Sequence, residues 1–338
     1  MWTEQKLDEM LTTPSPALIE DMKKIKGDII ILGAGGKMGP TLSILAKKAS
    51  EKAKVSRKVI AVSRFSDPIA VKLLKDNGVE TISCDLMKPG ALNTLPDAEN
   101  VIFMAGRKFG TGADACRTWA MNAWLPSITA ERYRNSNIVV FSSGNLYPIV
   151  DLSTGGSREC DPIGPIGEYP MSVLARERVF EYAASEYKTR VLMFRLSYAI
   201  DLRYGVLFDI ANKIINDQPV SLSATCFNCV WQGYANEAAI RSLTLADSPA
   251  QYLNVTGPEI LSVRTTALEF GRIFGKEVKF TGEESTSAYI SNSQKACDLF
   301  GYPSVTARQL IEWQAQYILS GERTLDKPTH FEERKGSY

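Results

Sequence analysis

Short apolar runs alternate with longer helical stretches from residue 27 onward. The short runs lack alternating polar positions, which is typical of strands buried on both faces of a parallel sheet. They predict strands at 28–32, 59–62, 80–83, 100–105, 137–142 and 190–196. The stretches between and after them predict helices at 38–50, 67–77, 113–134, 169–187, 205–217, 234–247, 262–275, 292–300 and 306–320. Alternating strands and helices predict an α/β fold with a doubly wound parallel sheet.

The same pattern divides the chain into four segments. Residues 1–26 predict a helical extension, in which Ser15 and Pro16 begin a helix. Residues 27–200 hold the predicted sheet, and residues 201–320 predict a smaller C-terminal α/β lobe. The charged segment 321–338 predicts a tail that wraps the surface.

The amino-acid composition limits the kinds of molecule that the protein is expected to bind. The 39 basic and 38 acidic residues leave a net charge of +1, which provides no electrostatic basis for binding nucleic acid or an anionic membrane. A small neutral or locally anionic ligand fits this balance better. The N-terminal residues lack the build of a signal peptide and no apolar run reaches about 18 residues, so we expect a cytoplasmic protein.

The six cysteines are widely spread and predict reduced, mostly buried side chains. Only Cys226 and Cys229 have the spacing of a zinc or redox pair, and packing within a strand is the reading that we favour. His330 is the single histidine, so a tetrahedral zinc site would lack ligands and Ser-His-Asp catalysis would lack its base. We therefore expect no metal.

A glycine-rich loop follows the first predicted strand. Gly33, Gly36 and Gly39 recur every three residues and lead directly into a predicted helix. Glycines at such a turn let the backbone approach a diphosphate, whose charge is met by backbone N–H groups and the positive end of the helix. The loop therefore predicts a Rossmann-type dinucleotide site, formed by Gly33, Gly35, Gly36, Lys37, Met38 and Gly39. The alternative is a glycine-rich turn whose pocket is empty or vestigial.

The end of the second strand bears on the choice of cofactor. A site that prefers NAD usually has an acidic residue there to bind the ribose hydroxyls, but this chain has Ser63 and Arg64. These two side chains predict that NADP(H) is favoured, with NAD(H) as the alternative. After the third strand, Asp85 is positioned to accept a hydrogen bond from the adenine amino group. The structural alternatives are that Arg64 is an ordinary surface arginine and that Asp85 is a simple helix cap.

Several motifs in the same order resemble the extended short-chain dehydrogenase/reductase family, of the NAD-dependent epimerase/dehydratase type. The resemblance covers about residues 27–320. It rests on the spaced glycines, the Asp85-Leu86 pair, Met104-Ala105-Gly106 at the end of the fourth strand, the serine-rich segment Ser142 to Tyr147, and Tyr169 after an acidic, proline-containing loop. The shared order of these motifs carries the resemblance, because none is specific by itself.

The resemblance implies roles for individual residues. Ser143 and Tyr169 take the positions of the catalytic serine or threonine and the catalytic tyrosine. Further cofactor contacts implied in this way are Leu86, Ala105, Gly106, Asn122, Ser142 and Tyr198. Asn145, Tyr147 and Trp231 are the candidate substrate contacts, although turn chemistry alone explains Asn145 and core packing is an equally good reading of Trp231.

One residue departs from the family pattern on the predicted active-site helix. The family has a lysine four residues after the tyrosine, but this chain has Val173. That lysine would contact the nicotinamide ribose and lower the pKa of the phenol, which valine cannot do. Arg176 lies further along the same stripe of the helix, and its distance from Tyr169 predicts that it cannot take the place of the lysine.

The resemblance implies an NAD(P)-dependent oxidoreductase or epimerase that acts on a sugar, a sugar acid or a nucleotide-sugar. Two alternatives remain open: a sensor or scaffold that binds NAD(P) without catalysis, which Val173 favours, and a lyase or isomerase with a tightly bound cofactor. Relatives commonly pair through a four-helix bundle, so the resemblance also implies a homodimer that uses helices 113–134 and 169–187.

Overall fold

The computed structural model describes residues 1–108, 110, 113–325 and 327–336. Its strands are β1 Ile29–Leu32, β2 Val59–Ser63, β3 Glu80–Ser83, β4 Asn100–Phe103, β5 Asn137–Ser143, β6 Val150–Asp151, β7 Arg190–Leu196, β8 Ala199–Ile200, β9 Val220–Ser221, β10 Cys226–Phe227, β11 Val230–Trp231, β12 Gln251–Val255, β13 Leu261–Ser262, β14 Phe280–Thr281 and β15 Ser287–Ala288. Its helices are α1 Glu4–Leu11, α2 Pro16–Lys24, α3 Gly39–Lys52, α4 Pro68–Asp76, α5 Ala115–Trp119, α6 Leu125–Arg132, α7 Glu168–Tyr187, α8 Val206–Ile215, α9 Gln232–Arg241, α10 Val263–Phe274, α11 Gln294–Phe300 and α12 Ala307–Leu319.

Seven parallel strands form the central sheet, in the order β12-β7-β5-β4-β1-β2-β3. Side chains alternate between its two faces: Ile29 and Ile31 pack into the layer with α3 and α9, and Ile30 and Leu32 pack into the layer with α6 and α7. All four are fully buried, which explains why the sequence of β1 is apolar throughout. The predicted α/β fold with a doubly wound parallel sheet is confirmed.

The strand order reverses at β1: the chain adds β2 and β3 on one side of β1 and then returns to add β4 on the other side. The strands β2 and β3 extend to one side of β1, whereas β4, β5, β7 and β12 extend to the other. Loops that leave the carboxyl ends of β1 and β4 therefore diverge and leave a crevice, the usual place for a ligand in open α/β sheets.

A second hydrophobic core lies in the C-terminal half and includes buried side chains of α8, α10 and α12. The strand β12 also comes from this half, yet it pairs with β7 in the central sheet. The domain limits at residues 200 and 320 stay a prediction.

Both terminal segments form hydrogen bonds with the rest of the chain. Asp21 of α2 accepts a hydrogen bond from Arg241 at 2.7 Å, and Thr329 donates its backbone N–H to Asp209 at 2.8 Å.

Two further sequence expectations can be compared with the structure. Ser15 caps α2 by accepting from the backbone N–H of Leu18 at 3.1 Å, as predicted. The predicted helix 113–134 is instead interrupted by a π-helical turn at Ala120–Trp124, between α5 and α6. Pro126 explains the interruption, since it has no N–H to donate to the carbonyl of Asn122, four residues earlier. Across the described residues, no helix combines the length and the apolar character that a membrane span needs.

Candidate active site

The glycine-rich loop begins at the carboxyl end of β1, beside the crevice. Gly33 has a φ of +93°, and a Cβ there would lie 2.5 Å from the backbone nitrogen of Ala105, in the loop that follows β4. A Cβ on Gly39 would lie 2.2 Å from the carbonyl oxygen of Ala34. Only glycine fits at either position, so the sequence lets the loop lie close to its neighbouring backbone.

The helix α3 starts directly after this loop and is 14 residues long. Met38 precedes its first turn and contributes no side-chain cap, so the first backbone N–H groups of the helix are not consumed by a capping side chain. Such a helix start favours an anion, because N–H groups and the helix dipole both present positive charge.

A cavity of about 340 Å³ extends from this loop to the carboxyl ends of β5 and β7. Its lining is rich in hydroxyl groups, and none of its described lining residues is Asp or Glu. The polar side chains that line it are Lys37, Lys108, Ser142, Ser143, Asn145, Tyr169, Ser197, Tyr198, Tyr204, Tyr289, Ser291 and Thr329. A lining with two cations and many hydroxyls suits an anionic, hydroxyl-bearing ligand.

The two lysines of the cavity influence each other. Burial lowers the pKa of Lys37 to about 8, and the positive charge of Lys327 acts in the same direction. Burial likewise lowers the pKa of Lys108 to about 8, with a further contribution from Lys37. The ammonium group of Lys37 also lies 4.1 Å from the centre of the Tyr204 ring. A bound anion would relieve this repulsion and favour the charged form of both lysines.

Ser143 and Tyr169 meet in the cavity although they lie on different elements. Ser143 ends β5 and Tyr169 lies in the first turn of α7, and both side chains line the cavity. The Ser143 hydroxyl donates to Oδ1 of Asn145 and accepts from the backbone N–H of Asn145, both at 3.1 Å. Burial raises the pKa of Tyr169, while Ser143 and the charge of Arg176 lower it. The pair can therefore bind an oxygen atom and exchange a proton with it.

Asn122 holds the base of the cavity together from the π-helical turn. Its amide donates to the carbonyl of Arg107 at 2.8 Å and to the hydroxyl of Ser172 at 3.0 Å. Its Oδ1 accepts from the backbone N–H of Arg107 at 2.9 Å and from Arg176 at 2.8 Å. Asn122 is fully buried and joins the loop after β4 to α7. It supports the cavity without lining it.

A model of the NAD dependent epimerase/dehydratase family matches residues 29–216, which is more than half of the chain. This chain belongs to that family. The match includes the glycine loop, Ser143 and Tyr169, so the family resemblance stated from the motifs is confirmed. A search of curated proteins finds no match.

Solved structures of this family share the fold. The UDP-glucuronic acid 4-epimerase from Bacillus cereus, in complex with UDP-glucuronic acid and NAD, has a TM-score of 0.71 and 17% identity over 87% of this chain and 99% of its own. A dTDP-glucose 4,6-dehydratase from Bacillus anthracis, in complex with NAD, has a TM-score of 0.73 and 14% identity over 87% and 97%. A UDP-galactose 4-epimerase has a TM-score of 0.69 and 18% identity over 87% and 99%.

The structure brings many of the predicted site residues of this family member to one place. Those that line the cavity are Gly33, Gly36, Lys37, Met38, Ser142, Ser143, Asn145, Tyr169 and Tyr198. Gly35, Ala105 and Gly106 lie in the loops at the same edge of the sheet. The side chain of Ser63 lies beside Gly35.

Tyr147 and Trp231 do not reach the cavity, and their assignment as substrate contacts is not retained. The Tyr147 hydroxyl accepts from Arg195 and donates to Asn254, both at 2.8 Å, and the residue is only 1% exposed. Trp231 packs edge-on against Trp313, at 5.6 Å between ring centres, in the second hydrophobic core. Core packing, the alternative reading of Trp231, is what the structure shows.

The predicted contacts for the adenosine half lie at the carboxyl ends of β2 and β3. Arg64 is exposed. Asp85 accepts from the backbone N–H of Met87 at 3.1 Å, as a turn cap does, and Leu86 is buried. Their roles toward a cofactor stay predictions.

Sequence reasoning did not identify every residue of the cavity. Lys108 follows β4 at the carboxyl edge of the sheet, a position from which it could have been inferred. Tyr289, Ser291 and Thr329 come from the C-terminal part of the chain and carry no local motif. Only tertiary structure brings them beside Ser143.

Proposed function

We propose that this protein is an NAD(P)-dependent oxidoreductase or epimerase that acts on a sugar, a sugar acid or a nucleotide-sugar. The observation that carries the proposal is that Ser143 and Tyr169 both line a cavity that begins at the glycine-rich loop. A protein that only senses a dinucleotide has no need of a serine and a tyrosine in this arrangement.

The loop 33–39 and the start of α3 would hold the diphosphate of the cofactor. The tight packing of Gly33 and Gly39 against neighbouring backbone supports this fit, because it keeps the loop compact where it lines the cavity. Lys37 would neutralise part of the diphosphate charge. When bound, the cofactor supplies a hydride acceptor or donor, and the protein supplies orientation and proton transfer.

Ser143 and Tyr169 would act on the oxygen of a carbinol group. In the oxidative direction the O–H proton of the carbinol would pass to ionised Tyr169, while the C–H bond would break and its hydrogen would leave as hydride to the bound cofactor. Ser143 would hold the oxygen through a hydrogen bond as it becomes a carbonyl. The reverse steps on either face of the carbonyl would serve a reductase or an epimerase.

The lining of the cavity supports a hydroxylated substrate. Asn145, Ser197, Tyr289 and Ser291 offer amide and hydroxyl groups, and Lys108 offers a positive charge. The solved relatives named above include complexes with UDP-glucuronic acid and NAD. A nucleotide-sugar or sugar acid is therefore the first class of compound to test.

For the cofactor, we propose that NADP(H) is preferred and NAD(H) is also accepted, because Ser63 ends β2 and Arg64 follows it, where an acidic residue would exclude a 2′-phosphate. The test compares the ratio of the dissociation constants for NADPH and NADH in the wild type and Arg64→Glu. We expect the variant to lose affinity for NADPH selectively. Lys75→Glu, an exposed charge reversal at the end of α4, is the control. An unchanged ratio in Arg64→Glu would contradict the preference.

We also propose a cytoplasmic homodimer that forms through the helical segment 113–134, which contains α5 and α6, and through α7. Tyr182 of α7 is 59% exposed, and Met171 of α7 and Trp124, at the end of the π-helical turn, are also exposed apolar side chains. Light scattering should show that Tyr182→Glu weakens the dimer. Tyr302→Glu should not, although Tyr302 is 65% exposed, because it lies elsewhere. A monomeric wild type would contradict the proposal.

The decisive experiment follows the absorbance and fluorescence of bound nicotinamide while nucleotide-sugars and sugar acids are added. Steady reduction of added cofactor indicates a dehydrogenase. Reversible reduction of bound cofactor indicates an epimerase if the product is an epimer of the substrate, and a lyase or isomerase if the product is of another kind. Binding with no response from any compound, and no difference between the wild type and Tyr169→Phe, would overturn catalysis in favour of a sensor.

A further inference from the structure

The helix α7 has no lysine one turn after Tyr169, since Val173 occupies that position and is 1% exposed. The nearest basic residue further along the helix is Arg176, seven residues after Tyr169 and on the same stripe. Seven residues correspond to a rise of about 10.5 Å, which led to the expectation that Arg176 is too distant. Helical side chains point back toward the N-terminus, however, so the guanidinium lies nearer to Tyr169 than its Cα does.

The contacts of Arg176 fix where this guanidinium lies. One terminal nitrogen donates to the carbonyl of Phe141 at 2.7 Å, two residues before Ser143 on β5. The other donates to Oδ1 of Asn122 at 2.8 Å, and the same Asn122 donates to Ser172 at 3.0 Å. The bonds to Phe141 on β5 and to Asn122, the partner of Ser172, therefore hold the guanidinium between α7 and the end of β5, back along α7 toward Tyr169.

Arg176 is 5% exposed and its Nε is a buried donor without a hydrogen-bond partner among the described residues. Its two carbonyl-type acceptors are neutral, so these bonds do not neutralise the positive charge. Glu177 interacts with Arg176 electrostatically, but its carboxylate forms an ion pair with Arg195 at 2.7 Å. A buried and incompletely compensated cation is costly unless an anion can form beside it.

We propose that Arg176 supplies, from two turns along α7, the positive charge that the family's lysine would supply from position 173, and so stabilises ionised Tyr169. Arg176 is then a positioning residue, because it acts through Tyr169 without lining the cavity. Among the described residues, the charged groups near Tyr169 are Arg176 on its own helix and Lys108, whose ammonium lies 5.7 Å from the centre of the ring. The inference rests on the proposed function only for its catalytic consequence.

The test measures the ionisation of Tyr169 directly, by NMR of protein labelled at the Cζ atoms of tyrosine, with Tyr169→Phe to assign the signal. Arg176→Met should raise the pKa of Tyr169 by about one unit, as expected for loss of a nearby opposite charge. Arg178→Met is the matched control on the same helix, because Arg178 is solvent-exposed and paired with Glu181, and it should leave this pKa unchanged. Unchanged ionisation in folded Arg176→Met would overturn the proposal.

A second measurement needs no substitution at Arg176. The Cζ signal of Arg176 in the wild type should shift over the pH range in which Tyr169 ionises, and this shift should vanish in Tyr169→Phe. Absence of the shift in the wild type would overturn the proposal even if Arg176→Met does not fold. Neither measurement requires turnover, so an inactive wild type would refute the proposed function while these results still decide the role of Arg176. In an active enzyme, Arg176→Met should lower kcat about tenfold, with little change in KM.

Discussion

Two tyrosines near the end of β5 show how burial separates a structural hydroxyl from a reactive one. Tyr147 and Tyr169 both lie near an arginine, but the Tyr147 hydroxyl contacts its arginine directly, at 2.8 Å from Arg195, and donates to Asn254. Tyr169 instead lines the cavity together with Ser143. The comparison teaches that access to the cavity decides which tyrosine can exchange a proton with a ligand.

The buried side of this comparison is a connected cluster. Glu177 is fully buried and accepts from Arg195 at 2.9 and 2.7 Å, and from the hydroxyl of Ser142 at 2.6 Å. Burial opposes the charge of Arg195, but the hydrogen bonds and charge of Glu177 outweigh it and raise the pKa of Arg195. Because Ser142 precedes Ser143, this cluster holds the end of β5 in place beneath the cavity.

The largest expected effect separates the two tyrosines by activity. Tyr169→Phe should lower kcat/KM by a factor of about 10² to 10⁴, the usual contribution of a general acid or base. Tyr147→Phe should change it by less than about threefold, because that hydroxyl does not reach the substrate. Steady-state kinetics on the best substrate measures both. Equal losses in the two variants would remove the distinction.

Breaking the buried ion pair should have the next largest effect, on stability. Arg195→Met leaves the carboxylate of Glu177 buried without its cation, which should cost about 3–5 kcal/mol of unfolding free energy. Arg178→Met removes an exposed pair with Glu181 and should cost at most about 1 kcal/mol. Urea unfolding compares the two variants. Similar losses of unfolding free energy would show that the buried pair with Glu177 contributes no more to stability than the exposed pair does.

Removing one hydroxyl from the buried cluster should have a smaller effect. Tyr147→Phe leaves Arg195 and Asn254 each without one partner, and should cost about 1–3 kcal/mol. Tyr169→Phe should change stability less, since its site is open to the cavity. The urea midpoints of the two variants provide the measurement. A greater destabilisation in Tyr169→Phe would mean that this tyrosine, too, is mainly structural.

The smallest expected effect is a dependence of cofactor affinity on pH. Lys37 and Lys108 are charged below their lowered pKa of about 8 and neutral above it. The affinity for NADPH should therefore be steady at lower pH and fall about tenfold above pH 8, because charge-assisted hydrogen bonds are lost. Calorimetric titration across this range tests the fall. The Lys37→Met/Lys108→Met variant should bind weakly with no such dependence, and a matching slope in it would exclude the lysines as the cause.

Local pattern was enough to predict the central sheet and the glycine-rich loop, because apolar runs and glycine spacing are properties of neighbouring residues. It also predicted the meeting of Ser143 and Tyr169, through the order of family motifs. Pattern could not separate Tyr147 from Tyr169, because burial depends on Arg195 and Asn254, which are distant in sequence. Nor could it place the guanidinium of Arg176, whose side chain folds back along α7 to bond with Asn122 and Phe141.

The central claim is that the glycine-rich loop and Tyr169 serve one bound cofactor and one substrate. A crystal structure of the complex with NADPH and a nucleotide-sugar tests it most directly. We predict the diphosphate on the loop from Gly33 to Gly39, and a substrate hydroxyl within about 2.6–3.2 Å of the Tyr169 oxygen. A cofactor bound with its nicotinamide away from Tyr169, or a substrate that contacts neither Ser143 nor Tyr169, would contradict the account.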